Sequence, residues 1–507
     1  MANSAKKIGQ LISHVRQQRG LTQSELAEQL KTSQSAVNRI EKGNQNVSLD
    51  MLGRISEVLN KQIIKIGNNT VSFQVEGGHE LSGSIQTKVS KNATVAIMAA
   101  ALLNKGTSRI IKAPKIEEVF RIIEVLQSIG VKVRWVNHDA DLEITRPNKI
   151  RIDQIDAVAA RKTRTVIMFL GPLLHEFDSF NIPFAGGCKL GERTVGPHFS
   201  ALENFGLSIK TTDDEYQVTS VPKVSEAPIV LEEMSETATE NAIMAAARTN
   251  GVTEIRNASH NYMVRDLCYF LEDMGIKIEG IGTNTLKIHG KTNIKTNFSY
   301  APAEDPIESM AFLSIAATTN SEITITRVPI EFLQVELLKL RKMGCEYEIS
   351  DIYLAENGRT ELADIKTLKH GELVAPIDKI LALPFPGINM DNLPFFAPIA
   401  GIARGKTLLH DWSYENRAIY FTELNRLGGS VVLADPHRVY IDGPTPYKAA
   451  DIMSPPALRP AVIILIAMLA AEGTSVLRNV YSISRGYEDL AERLNTLGAK
   501  IKVLHEI

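Results

Sequence analysis

The 507-residue chain has few cysteines, few aromatic residues and almost no net charge. Its three cysteines, Cys188, Cys268 and Cys345, lie too far apart for a disulfide framework or a zinc site, so no metal is expected. No basic segment followed by an apolar run opens the sequence, which argues against a signal peptide. The most apolar run, 460–471, is too short to span a bilayer. These absences predict a soluble, cytoplasmic protein without a membrane contact.

Residues 1–65 have a charge pattern of their own. Ten basic and five acidic residues give this segment a net charge of +5, whereas the remaining chain has −7. Apolar residues in 8–15 recur at helical spacing, and Thr22 to Glu25 form a capping box that opens a second helix. A short turn leads to a third helix at 33–42, which ends before Gly43, and Ser48 starts a fourth. The segment is predicted to be a small all-α domain.

Two short helices joined by a tight turn are typical of a helix-turn-helix. Residues 1–65 resemble the phage-repressor type of that fold, which implies that helix 33–42 enters the major groove of duplex DNA. The resemblance places a phosphate contact at Gln23 and base contacts at Gln34, Ser35, Asn38 and Arg39. The alternative is a helical scaffold for protein contacts, but the basic charge favours DNA. A module of this size reads a half-site, so specific binding favours a homodimer.

One sequence unit recurs along residues 66–507. Each copy has an apolar helix, a strand, a loop, an amphipathic helix that ends in a hydrophobic residue and glycine, and a further strand. Clear copies begin at Gly106, Gly251, Asn320, Gly405 and Gly473, and a degenerate sixth surrounds Cys188. The helix before each copy is rich in Ala and Ile, and a helix that is apolar on all sides is predicted to be buried. Three copies per domain give two similar α/β domains.

The segment 183–198 combines a thiol with glycines and an arginine. Cys188 follows Gly186 and Gly187, and Arg193 comes soon after. Glycines allow positive φ and a close approach to a ligand, a thiol near a guanidinium can have a tuned pKa, and arginine binds phosphate or carboxylate through a planar fork. Taken alone, the pattern is also that of a plain surface turn.

The repeat, together with the segments KVSKNATVAIMAAALL and GGCKLGER, resembles the enolpyruvyl transferases over residues 72–505. The resemblance implies a two-domain inverted α/β barrel built from six repeats, here preceded by the helix-turn-helix domain. The domains are then 1–65 (helix-turn-helix), 66–90 (linker and first strands of transferase domain 2), 91–303 (transferase domain 1, with the cysteine loop) and 304–507 (transferase domain 2). The cysteine loop points to the branch that transfers enolpyruvate from phosphoenolpyruvate to the 3-hydroxyl of UDP-N-acetylglucosamine, in peptidoglycan precursor synthesis. The resemblance implies no cofactor.

The donor is a small, dense anion, so the chemistry requires several fixed cations. The resemblance places phosphoenolpyruvate contacts at Lys91, Asn92, Arg193, Arg459 and Arg485. It makes Cys188 a proton donor that can also add to the donor carbon, and Asp391 the general base near the sugar hydroxyl. A surface position would explain any one of the cations, and a helix cap would explain Asp391. Four matching cations together favour the site.

Acceptor contacts are implied on both sides of the cleft, and some of their motifs depart from the family. The residues are Arg164, Thr194, Val195, Ser235, Asp391, Ser413 and Arg417. The family's Arg-Pro-Val-Asp-Leu-His reads RTVGPH at 193–198, so Gly196 replaces an aspartate. Its Ser-Val-Gly-Ala-Thr-Glu-Asn reads SETATEN at 235–241, which puts an acid near the expected diphosphate. Its Arg-Glu-Pro-Glu reads HNYM at 260–263.

Three functions are consistent with this pattern. The first is a transferase acting on UDP-N-acetylglucosamine with an appended DNA-binding module. The second is an enolpyruvyl transferase that acts on another nucleotide acceptor, which the altered acceptor motifs favour. The third is a transcriptional regulator whose transferase body only senses ligand, against which the presence of Cys188 and Asp391 argues.

Overall fold

The computed structural model describes residues 9–43 except 11 and 18, residues 51, 54, 55, 58 and 59, and residues 71–184, 195–225 and 227–505. Within them the chain is a mixed α/β protein preceded by short helices, which confirms the predicted fold class. No helix of the described residues is long and apolar enough to cross a membrane.

The helices are distributed along the whole described chain, and residues 12–17 are helical as well. The labelled α-helices are α1 (Gln23–Gln29), α2 (Gln34–Glu41), α3 (Lys91–Ala100), α4 (Glu117–Ser128), α5 (Ala157–Ala160), α6 (Leu170–Leu173), α7 (Gly196–Glu203), α8 (Glu236–Ala247), α9 (Tyr262–Asp273), α10 (Pro306–Thr318), α11 (Gln334–Met343), α12 (Phe396–Ile402), α13 (Leu458–Ala470), α14 (Tyr481–Ser484) and α15 (Leu490–Asn495). Segments of 3-10 helix are Ala101–Leu103, Ile152–Gln154, Thr165–Phe169, Ile330–Leu333, Leu393–Phe395 and Ala418–Leu427.

The strands are short, and all of the labelled ones lie after residue 70. They are β1 (Val71–Gly77), β2 (Ser82–Gln86), β3 (Thr107–Ile110), β4 (Lys132–Val136), β5 (Asp141–Thr145), β6 (Ser179–Pro183), β7 (Leu207–Thr211), β8 (Glu215–Ser220), β9 (Ile229–Val230), β10 (Gly251–Arg256), β11 (Lys277–Glu279), β12 (Thr285–Gly290), β13 (Phe298–Tyr300), β14 (Glu322–Val328), β15 (Tyr347–Ile349), β16 (Tyr353–Leu354), β17 (Glu361–Thr367), β18 (Ile380–Leu381), β19 (Gly405–His410), β20 (Val431–Asp435), β21 (Arg438–Gly443), β22 (Asp451–Met453), β23 (Gly473–Arg478) and β24 (Lys500–His505).

These strands form six small sheets in the described residues, each with mixed or antiparallel pairing. Three sheets use only strands between 107 and 300, in the orders β13-β3-β5-β4, β11-β12-β10-β9 and β6-β8-β7. The other three have the orders β22-β23-β1-β24, β15-β17-β14-β2 and β18-β19-β21-β20. Strands β1 and β2 thus pair with strands from 322–505. We call the first group of sheets, with its helices, the N-group and the second the C-group; the domain limits themselves stay predictions.

The glycines that end the repeated amphipathic helices share one backbone conformation. All six have φ between +85° and +102°, at Gly130, Gly206, Gly275, Gly344, Gly428 and Gly498. Side chains of L-residues rarely adopt this region, whereas glycine does so at little cost and ends a helix with a turn into the next strand. The glycine spacing in the sequence therefore reflects a backbone requirement at each helix end.

The Ala- and Ile-rich helices are buried, as their composition predicts. Every residue of α10 is buried, and in α3, α8 and α13 all but the first or last residues are. Because such a helix has no polar face, its stable position is the interior, where each fully buried Val, Leu, Ile, Phe or Met side chain contributes about 1.5–3 kcal/mol. The polar residues at the N-terminal ends of α3 and α13, Lys91 and Arg459, are thereby carried to the inside of the protein.

The two chain segments that connect the N-group and the C-group lie side by side. We call residues 87–90 and 301–305 the hinge pair. The backbone N–H of Asp305 donates to the carbonyl of Lys88 at 2.9 Å, and that of Ser90 donates to Ala303 at 2.9 Å. A bridge between Val89 and Glu304 runs antiparallel. The N-group and the C-group are therefore joined by two chain segments that hydrogen-bond to each other.

The helix-turn-helix segment has a core of its own. Thr22 accepts from the backbone of Glu25, whose side chain accepts in return, so the predicted capping box is confirmed. The predicted helix 33–42 is α2, with Ser33 and Lys42 as its caps. The start of a fourth helix at Ser48 lies outside the described residues. The buried apolar residues are Ile12, Val15, Leu26, Ala27, Leu30, Val37, Ile40, Ile55 and Leu59.

A buried carboxyl beside the hinge pair makes stability depend on pH. Asp266 of α9 accepts hydrogen bonds from the Tyr300 hydroxyl and from the backbone N–H of Ala303, the latter at 2.9 Å. Burial raises the pKa of Asp266 to about 7, although these hydrogen bonds oppose the shift. In an unfolded chain the same group has a pKa of about 4. The folded protein therefore holds a proton that the unfolded chain releases between these values.

The free energy of unfolding should fall as the pH rises. The contribution of Asp266 to the free energy of unfolding is fully present below about pH 4. It is lost as the pH rises through about 7, because the carboxyl must then be buried as an anion. In Asp266→Asn this loss should disappear, so the fall in urea midpoint between pH 5 and pH 8 should be smaller than in the wild type. An equal fall in both proteins would contradict the assignment.

Candidate active site

Three of the predicted donor-binding cations are brought together at helix ends. Lys91 is the first residue of α3, Arg459 the second of α13, and Arg485 follows α14. Burial lowers the pKa of Lys91, while Glu118 and Asp391 favour its charged form and Arg459 and Arg485 oppose it. Two carboxylates and two guanidinium groups are therefore close enough to influence the half-buried Lys91 ammonium. Cys188, Arg193 and Thr194 lie outside the described residues.

Asp391 lies between two arginines. Its Oδ2 is 3.5 Å from Arg459 Nη2, and its Oδ1 is 3.5 Å from Arg417 Nη1. The same Oδ1 accepts a hydrogen bond from the Tyr414 hydroxyl at 3.2 Å. The carboxylate is thus oriented by three donors while part of its side chain, about 21%, stays exposed. A fixed, accessible carboxylate next to cations can take a proton from a hydroxyl that approaches it.

Arg417 is held from behind by a second carboxylate. Its Nε donates to Asp411 Oδ2 at 2.5 Å and its Nη2 donates to Asp411 Oδ1 at 2.8 Å, and the guanidinium lies over the Tyr414 ring at 3.8 Å. Only 1% of the Arg417 side chain is exposed. The sequence places Arg417 in the acceptor set, and this geometry supports a role in which it fixes Asp391.

Glu118 is a member of the site that the sequence did not indicate. This buried carboxylate of α4 accepts from Thr163 Oγ1 at 2.5 Å and from Arg485 Nη2 at 3.0 Å. Burial opposes its charged form, but Lys91 and Arg485 hold its pKa below the ordinary value. In the sequence, a glutamate in the first turn of an amphipathic helix is explained by the helix dipole alone. Its contact with Arg485 also joins the N-group to the C-group.

Tyr262 contacts the predicted donor site from α9. Its hydroxyl accepts a hydrogen bond from Asn92 Nδ2 at 3.1 Å, and its side chain is buried. Burial and the nearby Asp305 raise the pKa of Tyr262 well above the usual value, so the phenol stays neutral. Burial also raises the pKa of Asp305 to about 6, against the opposing effect of Arg459. In the sequence, Tyr262 is visible only as a departure from a family motif.

The remaining predicted acceptor residues lie on separate elements. Ser235 caps α8 through a hydrogen bond from Ala238 N at 3.4 Å, and Val195 precedes α7. Arg164 begins the 3-10 helix Thr165–Phe169. Ser413 Oγ is buried and has no hydrogen-bond partner among the described residues. This hydroxyl is available to a ligand group, whereas the Ser235 hydroxyl already serves its helix.

Removing the Tyr262 hydroxyl should weaken the reaction more than binding. In Tyr262→Phe the Asn92 amide loses an acceptor, so we expect a several-fold loss of kcat with a smaller change in the KM of phosphoenolpyruvate, corresponding to about 1 kcal/mol for one hydrogen bond. Tyr447→Phe is a matched control, since Tyr447 is buried and its hydroxyl donates to the carbonyl of Pro398. Equal kinetics in wild type and Tyr262→Phe would contradict the role.

The predicted DNA-contacting side chains lie on one side of the helix-turn-helix. Gln34, Ser35 and Arg39 are exposed on α2, and Asn38 is half-buried. Gln23 donates to Glu41 Oε2 at 2.8 Å and accepts from Gln34 Nε2 at 2.8 Å. Because Glu41 also pairs with buried Arg16 at 2.5 Å, the amide of Gln23 is fixed where α1 meets α2.

Comparison with known proteins agrees with the geometry. The profile of the EPSP synthase (3-phosphoshikimate 1-carboxyvinyltransferase) family matches residues 75–494, and a helix-turn-helix profile matches 12–66. The chain is 35% identical over 439 residues to UDP-N-acetylglucosamine 1-carboxyvinyltransferase of Bradyrhizobium diazoefficiens, covering 86% of this chain and 99% of the relative. The corresponding protein of Campylobacter jejuni is 33% identical over 435 residues, covering 86% and 99%.

Solved structures show the same fold. The enolpyruvyl transferase NikO from Streptomyces tendae superposes with a TM-score of 0.73 at 23% identity, over 87% of this chain and 100% of that one. An EPSP synthase from Acinetobacter baumannii gives a TM-score of 0.64 at 16% identity, over 86% and 100%. Fold and profile define the class as carboxyvinyl-transferring enzymes. The chain belongs to the EPSP synthase family of enolpyruvyl transferases and carries a helix-turn-helix domain ahead of the enzyme body.

Proposed function

We propose that the enzyme transfers enolpyruvate from phosphoenolpyruvate to the 3-hydroxyl of UDP-N-acetylglucosamine, a step of peptidoglycan precursor synthesis, and that residues 1–65 bind duplex DNA. The observation that carries the enzymatic part is the grouping of Asp391, Arg459 and Arg485 near Lys91, with Asp391 at 3.5 Å from Arg459. Relatives named for this reaction cover nearly the whole enzyme body. The protein acts in the cytoplasm, where both substrates and DNA are present.

Each step of the transfer has a residue suited to it. The cations bind the phosphate and carboxylate of the donor and stabilise charge that develops there. Cys188 delivers a proton to the methylene carbon, and Asp391 takes the proton of the attacking sugar hydroxyl. Phosphate then leaves, and loss of a proton restores the vinyl group. Glu118 holds Arg485 near Lys91 through a contact that joins the N-group to the C-group.

A phosphate-release assay tests the acceptor directly. The full chain is incubated with phosphoenolpyruvate and one acceptor at a time from a panel of UDP-sugars and other nucleotides. We expect release with UDP-N-acetylglucosamine and a product heavier by the enolpyruvyl group. Phosphate release with no member of the panel would contradict an active transferase. Release only with another nucleotide would establish that nucleotide as the acceptor.

A different nucleotide acceptor is the second candidate. Two residues that depart from the family's acceptor motifs contact each other: Asn261 Nδ2 donates to Glu236 Oε1 at 3.2 Å. Because these two altered residues contact each other, we infer that the acceptor side of the site differs from the family at both positions together.

The third candidate is a regulator with a non-catalytic body. It requires that DNA binding respond to ligand while turnover is absent.

DNA binding should be sequence-specific and salt-dependent. Affinity for an enriched duplex should fall steeply with salt, because neutralised phosphates release counterions. Arg39→Ala should relax base preference and cost about 1–3 kcal/mol if Arg39 makes a bidentate base contact. Arg256→Ala replaces an exposed arginine at the end of β10 in the enzyme body and should change neither base preference nor affinity. The measurement is binding-site selection followed by titration; no enriched motif from a folded protein would contradict the proposal.

A further inference from the structure

A cavity of about 270 Å³ lies beside the hinge pair and apart from the candidate active site. One wall comes from the hinge pair and β2: Gln86, Thr87, Lys88, Val89, Ala301, Pro302 and Glu304. The N-group contributes 111–115 and 138–140, and the C-group contributes Arg327, Glu356 and Glu488. Lys91, Asp391, Arg459 and Arg485 do not line it. A ligand in this cavity would touch both groups and both connections at once.

One carboxylate oxygen of Glu304, a residue that lines the cavity, lacks a hydrogen-bond partner among the described residues. Glu304 is only 5% exposed; its Oε1 accepts from Arg327 Nε at 2.6 Å, but its Oε2 is buried without a hydrogen-bond partner among the described residues. An unmatched buried carboxylate oxygen is destabilising, because it has lost its hydrogen bonds to water without gaining others. A hydroxyl or amino group placed in the cavity would remove that cost by donating to Oε2.

The rim of the cavity has cations without carboxylate partners. Neither Lys88 nor Lys115 forms an ion pair within the described residues; the Lys115 ammonium lies 5.9 Å from the Trp135 ring centre. Lys112 pairs with Glu356 at 2.6 Å and so joins the N-group to the C-group at the same rim. A carboxylate or phosphate on the ligand would meet Lys88 and Lys115 while its donor end reaches Glu304.

The volume of the cavity limits the size of the ligand. Sites for drug-sized molecules usually measure about 300–1,000 Å³, so a cavity just below this range suits a molecule of monosaccharide size better than a nucleotide sugar. We propose that the cavity binds a small metabolite with one anionic end and at least one hydroxyl or amino donor, and that its occupancy controls the approach of the N-group to the C-group. The ligand acts as an effector, because it contacts the hinge pair, the N-group and the C-group together.

Calorimetric titration of the full-length protein tests this site. The probes are glucose 6-phosphate, glucosamine 6-phosphate, gluconate and inorganic phosphate; the first three combine an anionic end with donors, and the last has no carbon skeleton to reach Glu304. We expect at least one of the first three to bind, in the presence or absence of phosphoenolpyruvate, and to alter kcat without competing with either substrate. A preference for the sugar phosphates over gluconate identifies phosphate as the anionic end.

Two variants locate the binding. Lys88→Ala and Glu304→Gln should each weaken it about tenfold or more, as loss of a charge-assisted hydrogen bond does. Lys88 is exposed, so its replacement leaves folding intact even if Glu304→Gln does not. Lys295→Ala, an exposed lysine away from the cavity, is the matched control and should bind as the wild type does. Binding of no probe, binding unaffected by Lys88→Ala, or displacement by phosphoenolpyruvate would each overturn the proposal.

Discussion

Asp391→Asn should lower kcat by about 10²–10⁴-fold, the usual contribution of a positioned general base. An amide of the same shape keeps the hydrogen bond from Tyr414 but cannot take the proton of the sugar hydroxyl. The KM of phosphoenolpyruvate should change little or decrease, because Arg459 loses a competing anion 3.5 Å away. This separation of kcat from KM distinguishes a base from a residue that only binds the donor.

The measurement is steady-state phosphate release at saturating acceptor. Asp451→Asn is the matched control, since Asp451 is exposed and pairs with Arg478 at 2.6 Å on the protein surface. It should retain the kinetics of the wild type. A kcat of Asp391→Asn within a few-fold of the wild type would show that another group accepts the proton.

Cys188→Ser should remove most turnover, because a hydroxyl is a far weaker acid than a thiol. Loss of a general acid corresponds to about 10²–10⁴-fold in kcat. Cys188→Asp should retain activity, since the resemblance includes enzymes with aspartate at this place and a carboxyl also donates a proton. Undiminished turnover in Cys188→Ser would contradict the assignment.

Labelling with an electrophilic epoxide checks the same residue independently. Cys268 and Cys345 are buried, and burial raises the pKa of both thiols, that of Cys345 to about 12. Both are therefore poor nucleophiles at neutral pH. We expect one equivalent of label in the wild type and none in Cys188→Ser. Label retained in the variant would place the reactive thiol elsewhere.

The parts of the fold that the sequence predicted follow from local rules. A glycine such as Gly130 or Gly344 marks a helix end because few other residues adopt its φ, and α10 is buried because it has no polar face. The α/β class, the capping box and the buried helices were therefore predictable. The grouping of the strands into six sheets was not, because a strand such as β1 pairs with β23 and β24, about 400 residues further on.

The candidate site also contains both residues that the sequence predicts and residues that only the structure reveals. The resemblance predicts site roles for Lys91, Asp391, Arg459 and Arg485 because they lie in recognisable motifs. Glu118 was not, since its partner Arg485 is 367 residues away and neither residue stands out in its own segment. In the sequence, Tyr262 only differs from the residue of a family motif, because its hydrogen bond to Asn92 depends on how α9 packs against α3. Long-range contacts of this kind depend on packing that residue spacing does not encode.

The position of β1 between β23 and β24 determines the order in which the protein can assemble during synthesis. Val75 of β1 faces Ser475 on one side and Ile501 on the other, so this central strand leaves the ribosome long before either neighbour exists. Domains generally fold as units during translation, and the sheets of the N-group have all their strands once residue 300 has emerged. The helix-turn-helix, with its own core, needs none of them. Until β23 emerges, β1 has two unpaired edges, and it keeps one until β24 emerges; exposed strand edges of this kind are prone to pair with other chains. Expression should therefore be more sensitive to truncation after residue 495 than to removal of residues 1–65.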